Sequence, residues 1–142
     1  LVLLKNLHDN IIIMDINKAI KFWLNESEED FKVSGHLLEK RDFSYALFFC
    51  HLSIEKLLKA VYVKRKKEQP PYIHNLLRIA ELCEIETDER IKEILIRVTA
   101  YNIEARYPDE KNNFRKICTE DFTNKELKNA EKVIEWLKSL LQ

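Results

Sequence analysis

The sequence predicts an all-α protein, an up-down helical bundle of four main helices plus one shorter helix. Three observations carry this expectation. The 142 residues include a single glycine and only three prolines, and the turns of sheets and irregular folds consume both. Apolar residues recur over long stretches at i, i+3, i+4 and i+7, the spacing of one helix face. Capping residues, basic C-terminal pairs and prolines punctuate those stretches.

The first helix is expected to follow Asp15, an N-cap candidate. Its inward stripe reads Ile16, Ile20, Trp23, Ser27, Phe31, Ser34 and Leu38, and the Lys40-Arg41 pair suits its C-terminus. Glu28-Glu29-Asp30 reads as a solvated face. Asp42 is the expected cap of the second helix, whose stripe runs Phe43, Ala46, Leu47, Cys50, Ile54, Leu57, Leu58 and Val61. Phe48, Phe49 and Leu52 extend its apolar surface nearly all round, so this is the central helix. It ends in the basic run Lys64 to Lys67, and Pro70-Pro71 forbids continuation.

A shorter third helix is expected from about His74 to Glu84. Thr87 is read as the cap of the fourth, with Ile91, Ile94, Leu95, Val98, Tyr101, Asn102 and Ala105 inward. Pro108 is read as its stop near Arg106-Tyr107. A polar loop to about Asp121 should follow, and Thr123 with Glu126 has the form of a capping box opening the fifth helix. That helix places Leu127, Ala130, Ile134, Leu137 and Leu141 on one face, and no strand is expected anywhere.

The length suits one domain, and a chain of this size buries roughly 68% of its unfolded surface without metal or disulfide staples. Hydrophobic residues at 46% and charged residues at 34% place it among globular rather than disordered chains. Lys plus Arg and Asp plus Glu both number 24, so net charge supplies no pull toward nucleic acid or membrane. The run Lys64-Arg65-Lys66-Lys67 is the one local basic patch, and it reads first as a helix end offsetting the carbonyl dipole. Cys50, Cys83 and Cys118 have no metal or CxxC spacing, which fits a reducing cytoplasm. No apolar run approaches the ~18 residues of a membrane span. Residues 1–13 are expected to be an extension upstream of a natural start at Met14, leaving a single domain over 14–142. Abundant Lys and Glu with only two Gln is a composition common in thermophiles.

Several polar residues sit in apolar settings, where an unpaired polar group is unfavourable. His51, Glu55 and Lys59 follow one another at i+4 steps on the central helix, as an ordinary Glu-Lys pair or as a polar strip lining a cleft. His74 follows Pro70-Pro71-Tyr72-Ile73 and reads either as a half-exposed packing residue or as a proton-transfer group of a cleft. Asn102 reads as a satisfied buried amide. Arg106 has the right sign for a helix C-terminus, and its fork also suits a phosphate or carboxylate. Tyr107 offers a ring for a base to stack on. Glycine-rich phosphate loops, GxSxG and HExxH are absent. No catalytic set, metal site or cofactor is therefore expected.

Taken together, Tyr45-Ala46-Leu47-Phe48-Phe49-Cys50-His51-Leu52-Ser53-Ile54-Glu55-Lys56-Leu57-Leu58-Lys59-Ala60, then Ile73-His74-Asn75-Leu76, then Ala105-Arg106-Tyr107-Pro108-Asp109, resemble the HEPN family (higher eukaryotes and prokaryotes nucleotide-binding) over about Ile16 to Gln142. The resemblance implies a helical bundle that forms a homodimer with a cleft between protomers. It further implies one of three activities: ribonuclease of toxin–antitoxin systems, partner of a minimal nucleotidyltransferase, or non-catalytic binder of nucleotide or RNA. The ribonuclease branch carries Arg, four to six residues, then His. Here the nearest frame, Arg97 to Asn102, ends in an asparagine, which cannot shuttle a proton at neutral pH. The Arg-Tyr-Pro-Asp type matches instead. Carried over, it implies a ligand-binding set of Glu55, Lys59, His74, Arg106, Tyr107 and Asp109. Arg106 and Lys59 would meet phosphate, Tyr107 would stack, and Glu55 with Asp109 would orient the cations. The alternatives are a metal-independent ribonuclease using His74 with Arg106, and a dimerisation or scaffold domain with no small ligand.

Overall fold

The structure, a computed structural model, describes residues 2–5 and 11–142, with side chains from residue 15 onward. The first element is a short antiparallel hairpin of β1 (Val2–Lys5) and β2 (Ile11–Met14), in a register that pairs Val2 with Met14 and Lys5 with Ile11. No strand was expected here. The β-branched run Ile11-Ile12-Ile13 nonetheless favours extended backbone. Part of the segment expected to be an extension, residue 1 and residues 6–10, lies outside the described residues.

The rest is the expected all-α bundle: α1 (Ile16–Glu39), α2 (Phe43–Lys66), α3 (Leu76–Leu82), α4 (Glu89–Thr99), α5 (Pro108–Ile117) and α6 (Glu120–Ser139), with a 3-10 turn at Ile103–Ala105. Asp15 caps α1 as its position suggested, accepting from the Lys18 amide at 3.1 Å. α1 and α2 form a long antiparallel hairpin. Ser34 Oγ donates to the Ala46 carbonyl at 2.7 Å, and Ser27 pairs with Ser53, so rising numbers on one helix meet falling numbers on the other. α2 packs against all five other helices, and Leu47, Ile54, Leu57, Leu58 and Val61 on it are fully buried. This is the physical meaning of its nearly all-round apolar surface. The three cysteine thiols are free and buried, and burial pushes them up to about 12, 12 and 11 for Cys50, Cys83 and Cys118. No helix among the described residues is long and apolar enough to cross a membrane.

Several local expectations are corrected. Asp42 occupies the N-cap position of α2, but its side chain makes no capping bond. The third helix starts at Leu76 rather than His74, because Asn75 Oδ1 caps it by accepting from the Arg78 amide at 3.0 Å. Asp88, not Thr87, caps α4, accepting from the Ile91 amide at 2.8 Å. α4 stops at Thr99, well short of Arg106. The Thr99 hydroxyl bonds back to the Leu95 carbonyl at 2.8 Å and accepts from the Leu76 amide at 3.0 Å. Such back-bonding loosens a helix end.

The supposed polar loop after Pro108 is the helix α5. Proline opens it at a position where its missing N–H is no loss, with Asp109 and Glu110 in the first turn and Arg115 and Lys116 in the last. Thr119, not Thr123, caps α6, accepting from the Phe122 amide at 3.2 Å. Thr123 and Glu126 lie a turn further in and are buried. Glu126 accepts from the Tyr101 hydroxyl at 2.6 Å and from Arg97 Nε at 3.2 Å, binding α6 to α4 and the turn after it. Asp30 is not solvated either: it is buried, with Lys56 Nζ 2.6 Å away.

Candidate functional site

The central helix α2 is so thoroughly buried that any polar side chain on it must find a partner within the protein. His51, Glu55 and Lys59 lie on successive turns of one face and all three are buried. Glu55 is the hub. Its Oε2 accepts from Lys59 Nζ at 3.1 Å, and its Oε1 accepts from His74 Nδ1 at 2.7 Å. The carboxylate side chain is 5% exposed, whereas the His74 side chain is 51% exposed. A carboxylate only accepts, so His74 Nδ1 carries a proton and Nε2 is the ring nitrogen left to face outward chemistry.

His51 supports the same arrangement from below. Its Nε2 lies 3.3 Å from the His74 carbonyl. A carbonyl only accepts, so Nε2 carries the proton, while the buried Nδ1 has no partner among the described residues. Burial lowers the His51 pKa below its ordinary value, outweighing the pull of the His74 carbonyl and Glu55. His51 is therefore a neutral donor that fixes the backbone carrying His74.

Lys59 reaches from this network toward α1. Its ammonium lies 5.4 Å from the centre of the Trp23 ring and 5.8 Å from that of Tyr72. Both distances are within cation–π range. Tyr72 in turn sets its edge against His74 at 5.7 Å, and Trp23 sets its edge against Phe22 at 5.2 Å. A cavity of about 770 Å³ lies between the first turns of α1 and the proline loop, with Lys18, Phe22, Trp23, Lys59, Pro71 and Tyr72 among its lining. That volume is within the range of small-molecule sites. Trp23 belongs to the inward stripe expected from the sequence, but the cavity beside it was not foreseen. The adjacent aromatics Phe22-Trp23 and the sequence Pro-Pro-Tyr were its only signals.

Of the six expected site residues, Glu55, Lys59 and His74 form one bonded cluster. Arg106 and Tyr107 sit on the extended step into α5 and Asp109 in its first turn, without a hydrogen bond to that cluster among the described residues. Arg106 is part-buried, Asp109 is exposed, and Tyr107 is 79% exposed. The Arg97 frame is structurally committed, since Arg97 is held by Glu126. The basic run is likewise engaged: Lys64 donates to the Gln142 carbonyl and Arg65 to the Glu84 carbonyl, both at 3.2 Å, while Lys66 pairs with the Glu84 carboxylate at 2.8 Å.

Comparison with known proteins gives three results. The family model described as the HEPN domain matches residues 20–140. A crystal structure of TT1696 from Thermus thermophilus shares the fold with a TM-score of 0.70 at 19% identity, over 85% of this chain and 97% of that one. A search of curated proteins gives no match.

Proposed function

The chain belongs to the HEPN domain family, and from that premise we propose that it is a non-catalytic binding module for a nucleotide or an RNA phosphate. In this reading it acts as a homodimer in the cytoplasm, alone or as the partner of a minimal nucleotidyltransferase of the toxin–antitoxin kind. The ligand-binding set is Glu55, Lys59, His74, Arg106, Tyr107 and Asp109. The observation that carries the proposal is Lys59: a buried ammonium, bonded to Glu55, that faces two aromatic rings at the border of a cavity of about 770 Å³. Arg106 and Tyr107 would add a phosphate fork and a stacking ring from the exposed step before α5.

A thermal-shift series with ATP, GTP, AMP, cyclic nucleotides and short RNA tests the reading, with Arg106→Ala beside the natural protein. A ligand at about 100 times its dissociation constant adds about 2.7 kcal/mol of stability. A shift that Arg106→Ala removes without lowering the unliganded melting temperature supports the proposal. No shift with any member of the series overturns it.

One observation favours a second reading. Glu55 holds His74 by Nδ1 at 2.7 Å and leaves Nε2 free on a half-exposed ring, the arrangement a general base requires. A metal-independent ribonuclease would use His74 to take the 2′-hydroxyl proton and Arg106 to stabilise the phosphorane. Labelled RNA that stays intact with the purified protein in EDTA, at several pH values, removes this reading.

A further inference from the structure

The cavity beside Lys59 has chemistry more specific than a general attraction for phosphate. Its walls are aromatic and wet. Phe22 is 55% exposed, Tyr72 is 91% exposed, and Trp23 is partly exposed between them. Tyr72 is carried by the Pro70-Pro71 turn and braced by His74, so its ring is positioned without being covered. Aromatic faces left in water are where a flat ring gains most by stacking.

The polar groups there are balanced. Lys59 is 7% exposed and already ion-paired with Glu55, so its charge exerts little net pull on an anion. Lys18 and Asp15 also line the cavity, one charge of each sign. What Lys59 retains is hydrogen-bonding capacity. An ammonium has three donors, and Glu55 takes one of them. A ring nitrogen or carbonyl oxygen held between Trp23 and Tyr72 meets such a donor, and a plain hydrocarbon ring does not.

We propose that this cavity is a nucleobase pocket: the heteroaromatic ring stacks against Trp23 and Tyr72, its acceptor edge meets Lys59, and the phosphate stays in solvent. This deepens the binding function proposed above and rests on it, and it gives Lys59 the base edge rather than the phosphate. The base belongs either to a free nucleoside or to a single RNA strand.

The test uses Trp23 as its own reporter. The chain has two tryptophans, so Trp136→Phe leaves only Trp23 emitting. Adenosine, AMP, ribose 5-phosphate and a short adenine-rich RNA are titrated into this protein and into its Tyr72→Ala derivative. Tyr72 is 91% exposed, so its removal is expected to change the melting temperature little. Adenosine and AMP are expected to change Trp23 emission with dissociation constants within about threefold of each other, and ribose 5-phosphate to do nothing. Tyr72→Ala should weaken both by about tenfold, the scale of one base–aromatic stack. The same Tyr72→Ala loss with RNA binding far tighter than adenosine assigns the base to a strand, and comparable binding assigns it to the nucleoside. AMP binding tenfold or more above adenosine, with ribose 5-phosphate competing, overturns the pocket in favour of a phosphate site. RNA or nucleotide that stabilises the protein while Trp23 emission and Tyr72→Ala stay silent overturns the pocket and leaves the binding function standing. Absence of any binding overturns both.

Discussion

The Glu55 carboxylate on α2 accepts from the His74 imidazole at 2.7 Å across 19 residues of chain, so one buried acid anchors the loop that carries Tyr72 and also neutralises Lys59. Folding and ligand chemistry meet at that oxygen pair. The arrangement makes Glu55 the least replaceable polar residue of the site, and it makes the loop's position depend on α2.

Glu55→Gln keeps an acceptor for His74 but strands the Lys59 charge in a side chain that is only 7% exposed. Breaking a buried ion pair from one side destabilises by about 3–5 kcal/mol. Urea denaturation should show a loss on that scale, and Glu55→Gln with Lys59→Met should recover much of it. A single variant as stable as the natural protein would mean that Lys59 escapes to solvent.

Stability should fall in mild acid through His51. Its folded pKa lies below the ordinary 6.5 because burial disfavours the cation. Between the folded and unfolded values the unfolded chain binds the extra proton. The His51 contribution is therefore fully present above about pH 6.5 and is lost as pH falls toward the folded value. The groups facing it are Glu55, His74 and Lys59. His51→Gln, which keeps a donor toward the His74 carbonyl, should flatten the fall of melting temperature between neutral and acid pH. An unchanged profile would assign the acid sensitivity elsewhere.

The α1–α2 contact depends on a reciprocal pair. Ser27 Oγ donates to the Ser53 carbonyl at 2.7 Å, and Ser53 Oγ donates to the Ser27 carbonyl at 2.8 Å, both buried. Either serine to alanine should lose about 1 kcal/mol, the net worth of one hydrogen bond. The double variant should lose less than the two singles together, because the hydroxyls also face each other at 3.0 Å. A double-mutant cycle by chemical denaturation measures this, and strict additivity would contradict the pairing.

Tyr101→Phe removes one of the two donors holding the buried Glu126. A loss of about 1–3 kcal/mol is expected from the half-satisfied carboxylate. Burial first, and then the bond to Glu126, raise the Tyr101 pKa above its ordinary value. The Tyr62 pKa is also raised, by burial and by Glu68, so ultraviolet titration of the folded natural protein should show more than one late tyrosine, and Tyr101→Phe should remove the most resistant of them. A titration curve that Tyr101→Phe leaves unchanged in its late fraction would refute the bond.

Much of the bundle was legible because helix formation is local. The stripes of the first and second helices and the Asp15 cap depend on neighbours within a few residues, and these came out as read. Ambiguity entered where one residue type serves two purposes. Pro108 ends a helix or opens one with equal chemistry, and only the acid-first, base-last order of α5 marked which. Thr123 and Glu126 have the spacing of a capping box, yet both are buried, and Glu126 answers to Arg97 and Tyr101, residues distant in sequence.

By itself, then, the sequence determined a helical chain with a greasy central helix, few turns and a polar strip at His51, Glu55 and Lys59. The tertiary structure alone decided what that strip touches. Charge pairing and aromatic enclosure act between elements: Asp30 with Lys56, Glu55 with His74, and Lys59 with Trp23 and Tyr72. Periodicity can place a side chain on a face, but the partner waiting there belongs to another segment, and only the packing of the bundle brings the two within reach.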